Sequence, residues 1–259
     1  MKMFDLTGKG AVVIGGAGGL GLAIVKGLAE AGAKVAIADL RDEDFLKNAA
    51  KEAKDASGGH ISYYKVNATD EASIEALVAA TVKEFGKVDI LVNAQGINKK
   101  FNGEEFPLDA FRQMFDVNVA SIMLTCKHFG KHMMQNKYGK IINISSTRGK
   151  IATRGPGNVG YCGTKGATDM ITRQYAAEYG PHGITVNAIG PTVTETPMMT
   201  EILDKRGPDA RKGYADACPL KRMAMPSDVV GPAIFLASEA SCFVTGNILY
   251  PDGGLTAVG

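Results

Sequence analysis

Ala11-Val12-Val13-Ile14-Gly15-Gly16-Ala17-Gly18-Gly19-Leu20-Gly21-Leu22-Ala23-Ile24-Val25 is the stretch that decides the architecture. Its first four residues are apolar, and three are β-branched, so they read as a buried strand. The glycines let the chain turn sharply and bring bare amides to the start of a helix. There they can meet an anion such as a pyrophosphate. Two registers fit, GxGxxG through Gly16, Gly18 and Gly21, or GxxxGxG through Gly15, Gly19 and Gly21. A helix over Leu22–Ala31 follows, with Gly32 where a C-terminal cap belongs. The next β-branched run, Val35–Ala38, closes on Asp39, 18 residues past Gly21. An acidic side chain there accepts hydrogen bonds from the 2′-hydroxyl of a ribose. The same carboxylate repels a 2′-phosphate, which favours NAD over NADP. Arg41, two residues on, is the feature that points the other way.

Outward from this unit the pattern repeats. Strands are expected at Ala11–Ile14, Val35–Ala38, Ile61–Val66, Ile90–Val92, Lys140–Ile144, Thr185–Ala188 and Ile248–Tyr250. Helical stretches lie between them at Leu22–Ala31, Glu71–Phe85, Leu108–Gln135, Gly163–Tyr179 and Pro226–Ser238. Near-continuous apolar strands alternating with helices imply an α/β fold. The expectation is one Rossmann-like domain over residues 1–259, a doubly wound parallel sheet of about seven strands flanked by helices. Ligands in such sheets bind beyond the carboxyl ends of the strands. The 259 residues carry a net charge of +2, with 45% hydrophobic and 22% charged side chains. That balance gives no field to recruit nucleic acid or an anionic membrane. Cys126, Cys162, Cys218 and Cys242 form no CxxC pair, as expected of reduced thiols in the cytoplasm. The amino terminus has no long apolar core of a secretory signal.

Tyr161-Cys162-Gly163-Thr164-Lys165 places a phenol and an ammonium on one helix face. A neighbouring ammonium stabilises a phenolate and brings a tyrosine, ordinarily near pKa ~10, toward use as a base. Fifteen residues earlier, Ile141-Ile142-Asn143-Ile144-Ser145-Ser146 ends a buried strand in two hydroxyls. With these motifs in this order, the chain resembles the short-chain dehydrogenase/reductase family over essentially its whole length, through Tyr250-Pro251-Asp252-Gly253-Gly254. The resemblance implies an NAD-dependent oxidoreductase that moves a hydride between a nicotinamide and a secondary alcohol or ketone. It makes Tyr161 the general acid/base and gives Lys165 the roles of lowering its pKa and holding the nicotinamide ribose. Ser146 would bond the reacting oxygen, and Asn118, in Asp116-Val117-Asn118-Val119, would position a water in the proton relay. Beyond Gly15, Gly18, Gly19, Leu20, Gly21 and Asp39, it assigns Asn67, Ala68, Asn93, Val193 and Thr196 to the cofactor. The last two lie in Pro191-Thr192-Val193-Thr194-Glu195-Thr196, where Thr192 replaces the family's glycine. Asn93-Ala94-Gln95-Gly96 departs from the family's NNAG, losing an asparagine and gaining a long polar side chain. The interval from Ser146 to Tyr161 is longer than usual, which implies a reshaped substrate pocket.

Other segments resemble gluconate 5-dehydrogenases and related polyol or sugar-acid dehydrogenases. Thr147-Arg148-Gly149-Lys150-Ile151-Ala152-Thr153-Arg154 puts three cations beside the serine pair. Arg148 and Arg154 are the expected ligands of an anionic polyhydroxy substrate, with Lys99 and Lys100 adding to the field. Residues 198–217, with Gly207-Pro208 inside, read as a lid over the pocket or as packing at a subunit contact. His128, His132 and His182 stand apart, His60 belongs to a glycine-rich turn, and no metal site is expected. Two further readings compete: an NADPH-dependent carbonyl reductase such as a 3-oxoacyl thioester reductase, and an NAD-binding protein without turnover. Neither a nucleic acid nor a membrane is an expected partner. The resemblance implies a homotetramer in contact through Gly163–Tyr179 and Phe243–Val258.

Overall fold

The computed structural model describes residues 2–153, 155–207 and 209–258. Seven parallel strands form one sheet in the order β3-β2-β1-β4-β5-β6-β7. They are β1 (Gly10–Ile14), β2 (Lys34–Asp39), β3 (Ile61–Lys65), β4 (Ile90–Asn93), β5 (Gly139–Ile144), β6 (Ile184–Ile189) and β7 (Ile248–Leu249). The chain winds outward from β1 to β3, then returns to β4 on the other side of β1. That reversal opens a crevice at the carboxyl ends of β1 and β4, where doubly wound sheets bind ligands.

Alternation along β1 divides its side chains between the two faces. Ala11 and Val13 pack with helix α1 (Gly19–Glu30), α2 (Glu43–Ser57) and α9 (Val230–Ala237). Val12 and Ile14 pack with α3 (Glu71–Phe85), α5 (Ser121–Asn136) and α6 (Val159–Tyr179). Both faces are covered, which is why the strands are apolar throughout. Register then lines up the functional ends: Ile14 opposite both Ala38 and Asn93, Asn93 opposite Asn143, and Ile144 opposite Ile189. The Asn93–Asn143 pairing is itself bonded, Asn93 Nδ2 donating to Asn143 Oδ1 at 2.9 Å. Asn143 Nδ2 in turn donates to Thr172 Oγ1 at 2.9 Å, so two buried amides tie β4, β5 and α6 together.

Elements match their expected positions closely, with two differences that bear on the site. The helix α6 begins at Val159, so Tyr161 and Lys165 both lie on it. The helix expected over Leu108–Gln135 is divided: α4 (Leu108–Phe115), one π-helical turn over Asp116–Ala120, then α5. A π turn inserts a residue into the i→i−4 ladder, a local irregularity common at functional sites. Here it surrounds Asn118, whose amide makes bonds outside the helix. Gly32 follows the Ala31 cap of α1 at φ +103°, a left-handed position suited to glycine. Residues 198–217 fall on α7 (Pro197–Arg206) and α8 (Asp209–Ala217). Among the described residues no helix is long and apolar enough to cross a membrane.

Candidate active site

The glycine turn is held from the β2 side. Gly15 N–H donates to Ala38 O at 2.7 Å and Ala17 N–H to Asp39 Oδ2 at 3.2 Å. Its glycines are sterically required: a Cβ on Gly21 would sit 2.1 Å from Gly15 O, and one on Gly15 2.6 Å from Gln95 N. Gly18 caps α1 and no side chain bonds there. The first amides of α1, at Gly19, Leu20 and Gly21, therefore have no intrahelical acceptor and form an anion site. Thr196 closes the turn from across the crevice, its Cγ2 lying 3.6 Å from the position of a Cβ on Gly19. Asp39 Oδ1 accepts from Arg41 N–H at 3.3 Å, so the carboxyl sits between the turn and Arg41. The Arg41 guanidinium lies 4.1 Å over the Phe45 ring and 3.5 Å from the position of a Cβ on Gly18. An uncapped helix start, a glycine cradle and a carboxyl at the end of β2 fit a dinucleotide.

Asn67 and Ala68 follow β3 at the same edge. Asn67 Oδ1 turns back to accept from Thr69 N–H at 3.1 Å. Asn93 ends β4 beside Asn143. Its side chain is fully buried, accepting from Thr125 Oγ1 at 2.8 Å while donating to Asn143.

The residues expected to carry catalysis converge from three elements. Ser146, two residues past the end of β5, caps a 3-10 turn over Thr147–Gly149, its hydroxyl accepting from Arg148 N–H at 3.2 Å. The Ser146 proton points to Pro191 O at a long 3.5 Å, a weak bond that a substrate oxygen can replace. Lys165 is 3% exposed and donates from Nζ to Ile144 O at 2.7 Å. Its Nζ lies 5.6 Å from the centre of the Tyr161 ring. Burial lowers the Lys165 pKa to about 8, against the pull of the Asp169 charge. Burial raises that of the Tyr161 phenol, while the Ser146 hydroxyl and the Arg148 cation pull it down. Burial thus disfavours the charged form of both groups, lowering the ammonium and raising the phenol.

Asn118 is fully buried in the π turn and bonds segment 96–97. Oδ1 accepts from Ile97 N–H at 2.8 Å, and Nδ2 donates to Ile97 O at 2.9 Å and to Thr164 Oγ1 at 3.1 Å. Thr164 donates to Tyr161 O at 2.8 Å, linking the clamp to the first turn of α6. Gly96 is thereby held so that a Cβ on it would lie 3.8 Å from Lys165 Nζ.

One buried residue at the site was not singled out from sequence. Asp169, one turn past Lys165, is 3% exposed and accepts from Ser145 Oγ at 2.5 Å and Tyr250 OH at 3.3 Å. An acid at the fourth residue after Lys165 was the available signal. Gln95 Nε2 donates to Ser121 Oγ at 2.8 Å, and Ser121 Oγ donates to Val117 O at 2.6 Å, so the long side chain gained there braces the π turn.

Of the three cations of the basic loop, Lys150 and Arg148 are described and point to different neighbours. Lys150 is turned toward the C-terminal segment, with Nζ 5.1 Å from the centre of the Tyr250 ring and 3.4 Å from Thr256 Oγ1. Arg148 is half-buried next to the serine, and Arg154 lies outside the described residues. Lys100 lines an open cavity of about 390 Å³ with Phe101, Asn102, Glu105, Pro156 and Gly157. On α8, Arg211 bonds Glu195 at 2.8 Å and Asp204 of α7 at 2.8 Å, fastening residues 198–217 to the Pro191–Thr196 segment. His128 is not isolated as expected: its Nε2 lies 2.8 Å from Glu71 and its Nδ1 3.7 Å from Glu75. Lys127 bonds the same Glu71 oxygen at 2.6 Å, giving an ion-pair cluster on α3 and α5.

Comparison with known proteins is consistent with this geometry. A family model described as enoyl-(acyl carrier protein) reductase matches residues 15–256. A 2-dehydro-3-deoxy-D-gluconate 5-dehydrogenase from Formosa agariphila is 34% identical, over 99% of this chain and 96% of that one. A D-threitol dehydrogenase from Mycolicibacterium smegmatis is 35% identical, over 98% of this chain and 95% of that one. A crystal structure of a gluconate 5-dehydrogenase from Burkholderia cenocepacia, in complex with NADP and tartrate, superposes with a TM-score of 0.92. It is 31% identical and the match covers 100% of this chain and 99% of that one.

Proposed function

The chain belongs to the short-chain dehydrogenase/reductase family and is an oxidoreductase acting on CH–OH groups; from that premise we propose that it is an NAD-linked dehydrogenase of a polyol or sugar acid, working through Ser146, Tyr161, Lys165 and Asn118. The observation that carries the reading is the convergence of the Ser146 hydroxyl, the Tyr161 phenol and a buried ammonium at Lys165.

A nicotinamide dinucleotide held by the glycine turn supplies the hydride acceptor, or the donor in reverse. The protein's residues manage the oxygen and its proton. Ser146 donates to the reacting oxygen, releasing its weak bond to Pro191 O. Tyr161, as phenolate, takes the hydroxyl proton while the carbinol C–H leaves as hydride and C=O forms. Lys165, charged below about pH 8, stabilises that phenolate. Asn118 acts through its clamp on Ile97, keeping Gly96 against Lys165. The α7–α8 segment, tied by Arg211 to the Pro191–Thr196 segment, serves as the lid of a single domain over residues 1–259. Fully exposed Phe243 and, on α6, Met170 form the apolar surface that a tetramer would cover.

NAD is favoured because Asp39 presents its carboxyl beside the turn. The reading with NADP is supported by the Arg41 guanidinium beside Gly18 and by the NADP in the related gluconate 5-dehydrogenase structure. A panel of polyols and sugar acids, each offered with NAD and NADP, tests the choice. NADH formation at least ~10-fold more efficient than NADPH formation is expected. A preference for NADP would move the reading to the reductase class.

A further inference from the structure

The long interval between Ser146 and Tyr161 holds a charge whose position the fold fixes. Arg148 is two residues past the catalytic serine, and its main-chain N–H donates to Ser146 Oγ at 3.2 Å. The cation is therefore carried on the same rigid turn as the hydroxyl that binds the reacting oxygen. Gly149 packs that turn onto α6, where a Cβ would be 2.5 Å from Asp169 Oδ2 and 2.9 Å from Lys165 O. The guanidinium is pinned on one side by Nη1 donating to Ala152 O at 3.0 Å. A guanidinium has five N–H donors, so this bond orients the head and leaves most of the fork unspent. Among the described residues no carboxylate lies within ion-pair distance of it, whereas Arg211 and Arg222 are both spent on acids of the fold. A half-buried guanidinium with no carboxylate partner among the described residues, next to Ser146, has the charge and donors to pair with an anion. Arg148 also lowers the Tyr161 pKa, which places its charge within electrostatic range of the phenol. Lys150, the other described cation of the turn, faces Tyr250 and Thr256 instead.

We propose that Arg148 binds the carboxylate of the substrate, making this enzyme selective for hydroxy acids over neutral polyols of the same length and orienting the acid end toward the Thr147–Gly149 turn. The inference rests on the dehydrogenase reading above and assigns its specificity to one side chain. The ring-like geometry of a planar fork suits a carboxylate in a way that an ammonium does not.

The test compares the wild type with Arg148→Ala and Arg148→Lys on four- to six-carbon aldonic, 3-deoxyaldonic and uronic acids and on neutral alditols of matching length. Because Arg148 also acts on Tyr161, both substrate classes lose rate on substitution, and the ratio between them is the readout. Arg148→Ala is expected to lower the acid-to-neutral ratio of kcat/KM at least ~10-fold, mainly through KM, with Arg148→Lys in between. Calorimetric binding of the same acids should weaken in parallel. Equal losses for acids and alditols would overturn the proposal, since a merely structural role moves both alike. So would a wild type that oxidises alditols but neither binds nor oxidises any of the acids, an outcome that leaves the dehydrogenase reading standing. Acid binding that depends on Arg148 without turnover of any substrate would support the proposal and sink that reading instead.

Discussion

Asn118 grips Ile97 by both ends of its amide, accepting from the main-chain N–H at 2.8 Å and donating to the main-chain oxygen at 2.9 Å. The grip needs a side chain aimed sideways out of a helix, and the π turn over Asp116–Ala120 provides that aim. Through it the segment after β4 is fixed against Lys165. Asn118→Ala removes both partners of the part-buried Ile97 main chain, a loss of about 1 kcal/mol per hydrogen bond. The expected result is a lowered melting temperature together with a fall of at least ~10-fold in kcat. A variant with normal kcat would show that the clamp does not serve the reaction.

Lys165→Met should separate activity from stability. In the folded chain the ammonium has a pKa of about 8 against 10.5 for the free side chain, so the fold disfavours its charged form. Below pH 8 both folded and unfolded chains carry the proton, and burial of the charge costs about 3 kcal/mol. That cost shrinks as pH rises from 8 and is gone near 10.5. The variant is expected to be inactive yet to melt higher than the wild type at neutral pH. The lost bond to Ile144 O offsets part of the gain. Melting curves at several pH values read the difference, which should close on the alkaline side. A difference that stays constant with pH would mean that Lys165 is not a buried charge.

Cofactor choice should follow two side chains in opposite directions. Asp39→Ala removes the carboxyl that repels a 2′-phosphate and is expected to raise kcat/KM for NADP at least ~10-fold. Arg41→Ala should lower whatever NADP activity the wild type has, because the guanidinium lies beside Gly18 of the turn. Asp39 also accepts from Ala17 N–H, so the first variant should be somewhat less stable. If NADP use is unchanged in both variants, neither side chain reads the ribose.

Gly149→Ala tests the packing of the serine turn. An alanine ordinarily stabilises by restricting the unfolded chain. Here its Cβ would press within 2.5 Å of Asp169 Oδ2. The expected sign is therefore reversed, a destabilisation of about 1–3 kcal/mol from overpacking, with a loss of activity as Ser146 shifts. A neutral or stabilising outcome in denaturant unfolding would show that the turn has slack.

The sheet was legible in the sequence because parallel strands buried on both faces must be apolar, and runs such as Ala11–Ile14 and Lys140–Ile144 leave little choice of boundary. Ser146, Tyr161 and Lys165 were legible for a related reason: strand ends and i,i+4 spacing dictate which side chains reach the crevice. Contacts between distant segments were not. Nothing local marks that Asn93 will spend its amide on Asn143, or that Ser145 will bond Asp169, since both depend on strand register and helix placement. The π turn was hidden because the apolar spacing through Leu108–Gln135 continues across it. Composition alone also made the Thr147–Arg154 loop a single basic patch, whereas packing turns Lys150 away from Arg148.

The most direct measurement is the turnover of Tyr161→Phe beside the wild type, following NADH absorbance on a sugar acid or polyol that the wild type oxidises. Loss of a single hydroxyl leaves the helix and the glycine turn in place, so NAD binding by calorimetry should be retained. The account predicts a fall in kcat of at least ~1000-fold with cofactor affinity within a few-fold of the wild type. A Tyr161→Phe enzyme that still oxidised the substrate at a comparable rate would contradict it, because the proton would then have to leave through a group other than the phenol.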